Sequence, residues 1–344
     1  MTILKRPKDI VLRPFILPLI VSYDTIMKPP YTITASILNL VVSISQKIGE
    51  ASAHYLDKQS PKLRKENRIK TIQATLGIEG NSLSESQVQA IDEGKVLIGF
   101  ERDQKEVQNA LALYERWNEF NPVKSDSLLS AHRILMQGLV TNPGEYRNRS
   151  VGITKGKTLT HIAPPADRVP FLMNDLFDFV SNDPDPLLIK SCVFHYEFEF
   201  IHPFIDGNGR MGRFWQSVIL SKSHPIFEFL PFETIIASSQ TDYYLALAQS
   251  DACGQSTPFI EYMLGVLDKS LAQLLNTTNV VLSETERIEY FIFIGMKDFS
   301  RKDYQRVFKN LSTATASRDL KKGVSLQLFS TYGERNATRY RVLF

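Results

Sequence analysis

The 344-residue chain has only two cysteines, Cys192 and Cys253, far apart and in no C-x-x-C spacing. That excludes a disulfide framework and a thiolate metal site, and it fits a reducing cytosol. No stretch approaches the roughly 20 apolar residues a membrane helix needs. The apolar run "IVLRPFILPLIV" after Lys5, Arg6 and Lys8 imitates a signal peptide, but Arg13, Pro14 and Pro18 interrupt it and no small-residue cleavage site follows. We read it as an extended segment packed on the core of a soluble, cytoplasmic protein with no membrane contact. Repeats of 20 to 50 residues and low-complexity tracts are absent too, which excludes solenoids and repeat arrays.

What is present is a helical pattern. Long amphipathic runs fill Thr34 to Leu139, for example "ASILNLVVSISQKIGEASAHYL" and "EVQNALALYERWNEF", punctuated by "EGNSLSES" and "NPVKSDS". One hairpin stands out between "NPGEYRNR" and "APPADRVP", with Val151 and Ile153 alternating before a turn at Lys155-Gly156 and Leu159 resuming the strand. Helices return over Phe171 to Val180, Leu187 to Phe200 and Asn208 to Lys222, then in "TDYYLALAQSD" and "TPFIEYMLGVLDKSLAQLL". After "NTTNVVLSETE" the character changes. Lys297 to Phe344 holds eleven Lys/Arg against four acids in a chain of net charge +3, so the basic charge is gathered at one end. There "SRKDYQRVF", "STATASRDLKKG" and "LQLFSTYGERNATRYRVLF" read as helix, turn, helix and two-stranded wing.

The chemistry concentrates in "HPFIDGNGRMGR", residues 202 to 213. Its Gly207-x-Gly209-x-x-Gly212 spacing fits a dinucleotide fingerprint, but the preceding "LLIKSCVFHYEFEF" has no strand pattern and no strands alternate with helices around it. The hairpin's Gly152-Ile-Thr-Lys-Gly156-Lys-Thr158 has one residue too few between its glycines for a phosphate loop. What remains is a turn that opens a helix. Gly207 and Gly209 supply unusual backbone angles, so the amides beginning at Asn208 point outward together as an anion pocket. Met211, Phe214, Trp215 and Val218 form the buried stripe of that helix, which leaves Arg210 and Arg213 on the other side. Two guanidinium forks beside helix-start amides suit a polyphosphate. Asp206 could hold Mg²⁺, and His202 has the ordinary pKa for a general base near neutrality.

These residues match the signature H-P-F-x-[DE]-G-N-G-R-x-x-R of the Fic (filamentation induced by cAMP) family, and the resemblance extends from about Asn67 to Leu247. It implies a mainly α fold: a Fic-type helical bundle with a small β-hairpin flap, followed by a winged helix-turn-helix domain. It also implies transfer of AMP from ATP, with Mg²⁺, to a Ser, Thr or Tyr hydroxyl of a target protein. His202 would take the hydroxyl proton and Asp206 would bind Mg²⁺ on the α- and β-phosphates. The amides of Gly207 to Gly209 with the Asn208 side chain would stabilise phosphate charge, with Arg210 on the outer phosphates.

A second stretch, "TLGIEGN", puts Thr75 and Glu79 on one helix face, with Glu79 next to a helix stop at Gly80-Asn81. A carboxylate there opposes the helix dipole by roughly 0.3 to 1 kcal/mol, so something should compensate. Thr75, Glu79 and Gly80 resemble the family's inhibitory motif [ST]-x-x-x-E-[GN]. By that resemblance Glu79 pairs with Arg213 and keeps it from the γ-phosphate. The hairpin, with Val151, Gly152 and Ile153, resembles the family's target-docking flap, which Gly144, Tyr146 and Arg147 would anchor; Tyr243 and Tyr244 resemble its adenine-binding tyrosines. His195 and Glu199, four apart, could ligate a metal, but no third ligand at suitable spacing joins them except catalytic-turn residues already assigned, so His195 reads better as a packed histidine.

The expected layout is an N-terminal helical region over 1–110 carrying the inhibitory helix at about 65–80, a catalytic core over 111–255, a connecting helix over 256–283 and the winged helix over 284–344. Two alternatives accompany it. One is a winged-helix DNA-binding regulator with Ser312 to Lys321 as recognition helix and Arg335 to Arg341 on the wing, or the same module docking a protein. The other is a Fic-fold enzyme that transfers another phosphate-containing group or removes AMP. A homodimer is compatible with either.

Overall fold

The computed structural model describes residues 28–55, 61–155, 158–277, 283–293, 295–308, 311–333 and 338–343. The N-terminal apolar run, the Gly156 half of the hairpin turn and Arg335 lie outside them. The chain forms two compact units: described residues up to Ile48 with Arg68–Leu271, and Gly49–Asn67 with Ala272 onward.

The first unit is built mainly from α1 (Ala35–Tyr55), α2 (Pro61–Ile78), α3 (Glu85–Asp92), α4 (Glu101–Glu115), α5 (Ser125–Leu135), the hairpin β1 (Gly152–Lys155) and β2 (Thr158–Ile162), then α6 (Val169–Asn182), α7 (Leu187–Ile201), α8 (Asn208–Ser221), α9 (Glu233–Ser238), α10 (Gln240–Cys253) and α11 (Thr257–Thr277). Local signals set several of these ends. Ser84 and Gln87 close a capping box on α3. Pro170 opens α6, and Gly254 in a left-handed conformation ends α10. α7 is apolar on nearly all sides and is buried along its length, as is α8 beside it. Phe177 of α6 meets Phe194 of α7 and Trp215 of α8, while Trp215 donates its indole N–H to the Pro122 carbonyl at 3.0 Å. Burying each such ring contributes roughly 1.5 to 3 kcal/mol, so the α7–α8 pair is the rigid floor on which the connecting turn stands.

The hairpin strands are antiparallel, with Ile153 opposite His161 and a register irregularity between Ile153 and Thr154. Val151 precedes the strand. Among the described residues no helix is long and apolar enough to cross a membrane.

The second unit contains α12 (Glu284–Phe293), β3 (Asp298–Ser300), α13 (Arg301–Val307), α14 (Thr313–Ser325), β4 (Phe329–Tyr332) and β5 (Arg339–Val342). The three strands form one antiparallel sheet in the order β3-β5-β4. Ile288, Phe291, Phe299, Tyr304, Leu320 and Phe329 fill its core. Inside that core Arg287 grips Asp319 with two bonds of 2.6 and 2.9 Å, and Tyr304 donates to the same carboxylate at 3.2 Å. Gly323 is required where α14 meets β4, because a Cβ there would overlap the Phe329 ring.

Candidate active site

The site is the turn between α7 and α8. His202 caps α7 in the left-handed region at φ 51°, which reverses the chain where the helix ends. Arg147 fixes that reversal. Its buried guanidinium donates to the carbonyls of His202 at 2.8 Å, Ile201 at 3.2 Å, Pro164 at 2.5 Å and Arg149 at 3.0 Å, and its own N–H donates to the Pro203 carbonyl at 2.9 Å. The hairpin that starts at Gly152 is thereby tied to the histidine, in keeping with the anchoring expected of Arg147. Gly144, at φ 84°, joins the same anchor by donating its N–H to His132 Nδ1 at 2.8 Å, and the Tyr146 hydroxyl pairs with Ser125 at 2.8 Å.

His132 is a site residue that the sequence reading missed. Its ring stacks on Phe204 at 3.6 Å, and Nε2 donates to the Asp206 carbonyl at 3.0 Å. Burial holds its pKa down to about 4, so the ring is neutral and each nitrogen has a fixed role. No spacing pattern links it to residues 202–213; only its place on α5 before the hairpin could have hinted at it. A cavity of about 270 Å³ lies beside this ring, bordered by Asn142, Tyr146, Arg149, Ile205 and Asp206.

Asn208 differs from expectation. Its side chain is buried and makes a two-way clasp with Phe204, accepting from the N–H and donating to the carbonyl at 2.9 Å each. The amide group thus shapes the turn with its oxygen and one Nδ2 hydrogen, and the backbone N–H of Asn208 lies at the start of α8. Gly207 has the positive φ, 86°, that was anticipated. Gly209 does not: it lies within α8, where a Cβ would press on the Glu79 carboxylate, so its lack of a side chain leaves room for that group.

Asp206 Oδ1 accepts from the Gly207 N–H at 2.6 Å and from Arg210 Nη2 at 3.0 Å, while the carboxylate keeps 42% of its exposure. Among the described residues no group of three or more His, Cys, Asp or Glu forms a metal cage. A single oriented, half-open carboxylate fits Mg²⁺, which retains water and takes its remaining ligands from phosphates.

The two arginines also differ from the reading of their helix face. Arg210 and Arg213 do lie off the apolar stripe, yet both are buried, with 5% and 1% exposure. The reason is the arrival of acids from other segments. Arg213 donates through Nη2 to Glu79 Oε1 at 2.7 Å, through Nε to the Thr75 hydroxyl at 2.8 Å, and through Nη2 to the Thr75 carbonyl at 3.1 Å. Burial opposes the charge on Arg213, and the Glu79 carboxylate more than reverses this, leaving its pKa above the usual arginine range. Gly80, at φ 96°, ends α2, and Gln240 of α10 caps the carbonyl of Ile78 at 2.7 Å.

Tyr243 and Tyr244 separate. Tyr243 is buried, with its hydroxyl 3.1 Å from His195 Nε2, so it belongs to the core; Tyr244 is 40% exposed and meets it edge to face at 5.3 Å. His195 also pairs with Gln216 at 2.7 Å, and burial holds its pKa down to about 3, which is the packed histidine expected. Cys192 is buried, and burial pushes its thiol up to about 12.

Residues 122–220 match the model of the Fic/DOC family. The chain is 42% identical to the crystal structure of a Fic family protein from Desulfovibrio desulfuricans G20, covering 92% of this chain and 98% of that one, with a TM-score of 0.72. The fold also resembles Fic-1 from Caenorhabditis elegans, with a TM-score of 0.60 at 22% identity over 71% of this chain and 73% of that one. A curated relative, protein adenylyltransferase fic-1 of Caenorhabditis elegans, is 28% identical over 238 residues, covering 62% of this chain and 44% of that protein. The chain spans about half the length, or less, of the curated relatives it matches.

Proposed function

The chain belongs to the Fic/DOC family, and on the turn joining α7 to α8 we propose that it is a protein adenylyltransferase, moving AMP from ATP to a Ser, Thr or Tyr hydroxyl of a target protein. The observation that carries this reading is the convergence, within one turn, of the His202 imidazole, the amides that open α8, and two buried arginines. His202 removes the proton of the acceptor hydroxyl as its oxygen forms a bond to the α-phosphorus and pyrophosphate leaves. The amides of Asn208 and Gly209, at the positive end of α8, face the phosphate charge. Arg210 and Arg213 offer it forks, and Tyr244 offers the adenine a face. Asp206 would hold Mg²⁺, which would neutralise charge on the phosphates. Such transfer depends on positioning and field more than on covalent help, which suits groups fixed as firmly as these.

The resting arrangement is braked. Glu79 occupies the Arg213 fork that a γ-phosphate would take, so the resting enzyme is slow. β1, with Gly152 and Ile153 after Val151, has an edge unpaired among the described residues and is suited to an extended target segment.

The test is transfer of label from α-labelled ATP to proteins of a lysate by the Glu79→Gly protein, beside Glu79→Gly/His202→Ala. Label is expected with the first and is lost with the second. Label retained without the imidazole rejects His202 as base.

One observation favours a second, compatible activity of the other unit: Arg318 and Lys321 are exposed on α14, which would serve as the recognition helix of a winged helix-turn-helix. The wing contributes less charge than its composition suggests, because Arg339 and Arg341 both lie on Asp298, at 2.6 and 3.5 Å. A DNA shift assay on the full chain, repeated across salt, tests this reading; no shift at low salt leaves protein docking.

A further inference from the structure

The turn that delivers Glu79 to Arg213 also reaches Arg210. Asn81, two residues on, donates through Nδ2 to Glu106 Oε2 at 2.9 Å and to the Asp103 carbonyl at 3.2 Å. Ser82 adds bonds from its N–H and hydroxyl to Asp103 Oδ2 at 3.1 and 2.7 Å, so the turn is stitched to the first turn of α4. The other oxygen of Glu106 lies 3.6 Å from Arg210 Nη1. Arg210 in turn holds Asp206. A continuous line of polar contacts therefore runs Asn81, Glu106, Arg210, Asp206, from the inhibitory turn to the carboxylate suited to Mg²⁺.

The details separate this line from incidental surface pairing. Glu106 is 12% exposed, and it faces a guanidinium more deeply buried than itself. Among the described residues its other ion pair is with Arg102, whose Nε lies 3.7 Å away on a side chain 71% exposed, where water screens the charge. At 3.6 Å the contact to Arg210 is an ion pair and not a hydrogen bond. It orients the guanidinium by charge while leaving donors unspent, and the buried Arg210 Nε has no hydrogen-bond partner among the described residues. An arginine aimed by a distant charge and still holding open donors is prepared for an anion.

We propose that Glu106 is a positioning residue that holds Arg210 against Asp206 and, through Asn81, ties this second arginine to the turn that inhibits the first. The inference rests on the adenylyltransferase reading and deepens it. Release of the turn at Glu79 and placement of Arg210 are then one mechanical event and not two.

The test uses full-length protein carrying Glu79→Gly, with and without Glu106→Gln, and reads binding of a non-hydrolysable ATP analogue with Mg²⁺ by calorimetry. Glutamine keeps the size of Glu106 and an acceptor for Asn81 but removes the charge from Arg210, so a role in packing alone would survive it. The inference expects the dissociation constant to rise about tenfold, equivalent to about 1.4 kcal/mol, and the ATP concentration for half-maximal transfer to rise with it. Arg102→Ala in the same background is expected to change neither. Binding by the double variant within about twofold of its parent, less than about 0.5 kcal/mol, overturns the inference while leaving the proposed function standing. A Glu79→Gly parent that binds no nucleotide overturns both. Should the double variant lose its cooperative melt, Glu79→Gly/Asn81→Ala carries the test: weaker binding of the analogue supports the line, and unchanged binding overturns it.

Discussion

Replacing Glu79 by glycine isolates the brake. The bond to be lost is a charge-assisted one of 2.7 Å between a guanidinium with 1% exposure and a carboxylate with 33%. Hydrogen bonds to charged groups contribute about 1.5 to 3 kcal/mol, and breaking a fully buried pair costs about 3 to 5. Because Glu79 is a third exposed, water already shares its charge, and about 2 to 3 kcal/mol is the better range. On the proposed function, a nucleotide must displace this carboxylate before its outer phosphate can reach Arg213. Removing the competitor should therefore raise AMP transfer by about 30- to 150-fold, at about 1.4 kcal/mol per tenfold. The substitution is gentle on the backbone, since Glu79 lies just past the last residue of α2 and Gly80 already makes the turn.

The same argument fixes the sign of a second readout. Without Glu79 the Arg213 charge remains buried and loses its hydrogen-bonded carboxylate, keeping its bonds to the hydroxyl and carbonyl of Thr75. The variant should melt lower than its parent and recover more on adding ATP, since a ligand at about 100 times its dissociation constant stabilises by about 2.7 kcal/mol. Initial rates of label transfer and thermal melts with and without ATP measure both effects. Glu79→Gln, which keeps an acceptor but no charge, should fall between. A folded glycine variant whose transfer rate stays within threefold of its parent, with no larger response to ATP, refutes the reasoning.

Glu233 is almost fully buried, with neither carboxylate oxygen bonded to another side chain, and burial pushes its pKa up to about 8 from 4.5. The folded state thus holds a proton that the unfolded state releases, and stability falls as pH rises from about 4.5 to about 8, by roughly 1.4 kcal/mol per unit at most. His132 and His195, with pKa values held down to about 4 and about 3, act oppositely, losing stability as pH falls below 6.5. Denaturant melts of Glu233→Gln and its parent at pH 5 and pH 8 isolate the acid: the variant should gain relative stability at pH 8, and an identical difference at both pH values would reject this assignment. In the second unit, Asp319→Ala removes the two bonds that the buried Arg287 makes to that carboxylate, and breaking a buried pair costs about 3 to 5 kcal/mol. Amide exchange should accelerate across 284–293 and 313–325, and unchanged protection there would show the pair to be dispensable.

Much of the site was legible because its chemistry is local. Histidine, acid, helix-start amides and both arginines fall within twelve residues, and the glycine turn that opens α8 follows from sequence alone. Most of the features that were not legible depend on segments arriving from elsewhere. The apolar stripe of α8 reports only what that helix packs against on one side, so it could place Arg210 and Arg213 off the stripe but not show that α2 and α4 bury them. Gly209 looks like a second flexible turn residue until Glu79 comes within reach of it. Asn208 looks like a phosphate donor until Phe204 takes both ends of its amide. Tyr243 and Tyr244 are indistinguishable in sequence, and only the position of His195 turns one into the core.

Glu79 shows how a long-range contact can still leave a local trace. A carboxylate at the end of α2 sits against the negative end of its helix, a placement that costs roughly 0.3 to 1 kcal/mol if nothing answers it. The pair with Arg213 contributes about 2 to 3 kcal/mol, enough to reverse that cost with some to spare. The surplus is small by design of the numbers themselves: a pair worth 5 kcal/mol more would hold the turn against any nucleotide, and one worth nothing would not hold it at all. Locally unfavourable charge therefore signals a partner, and on the proposed function the modest size of the balance is what would let that partner be exchanged for a phosphate.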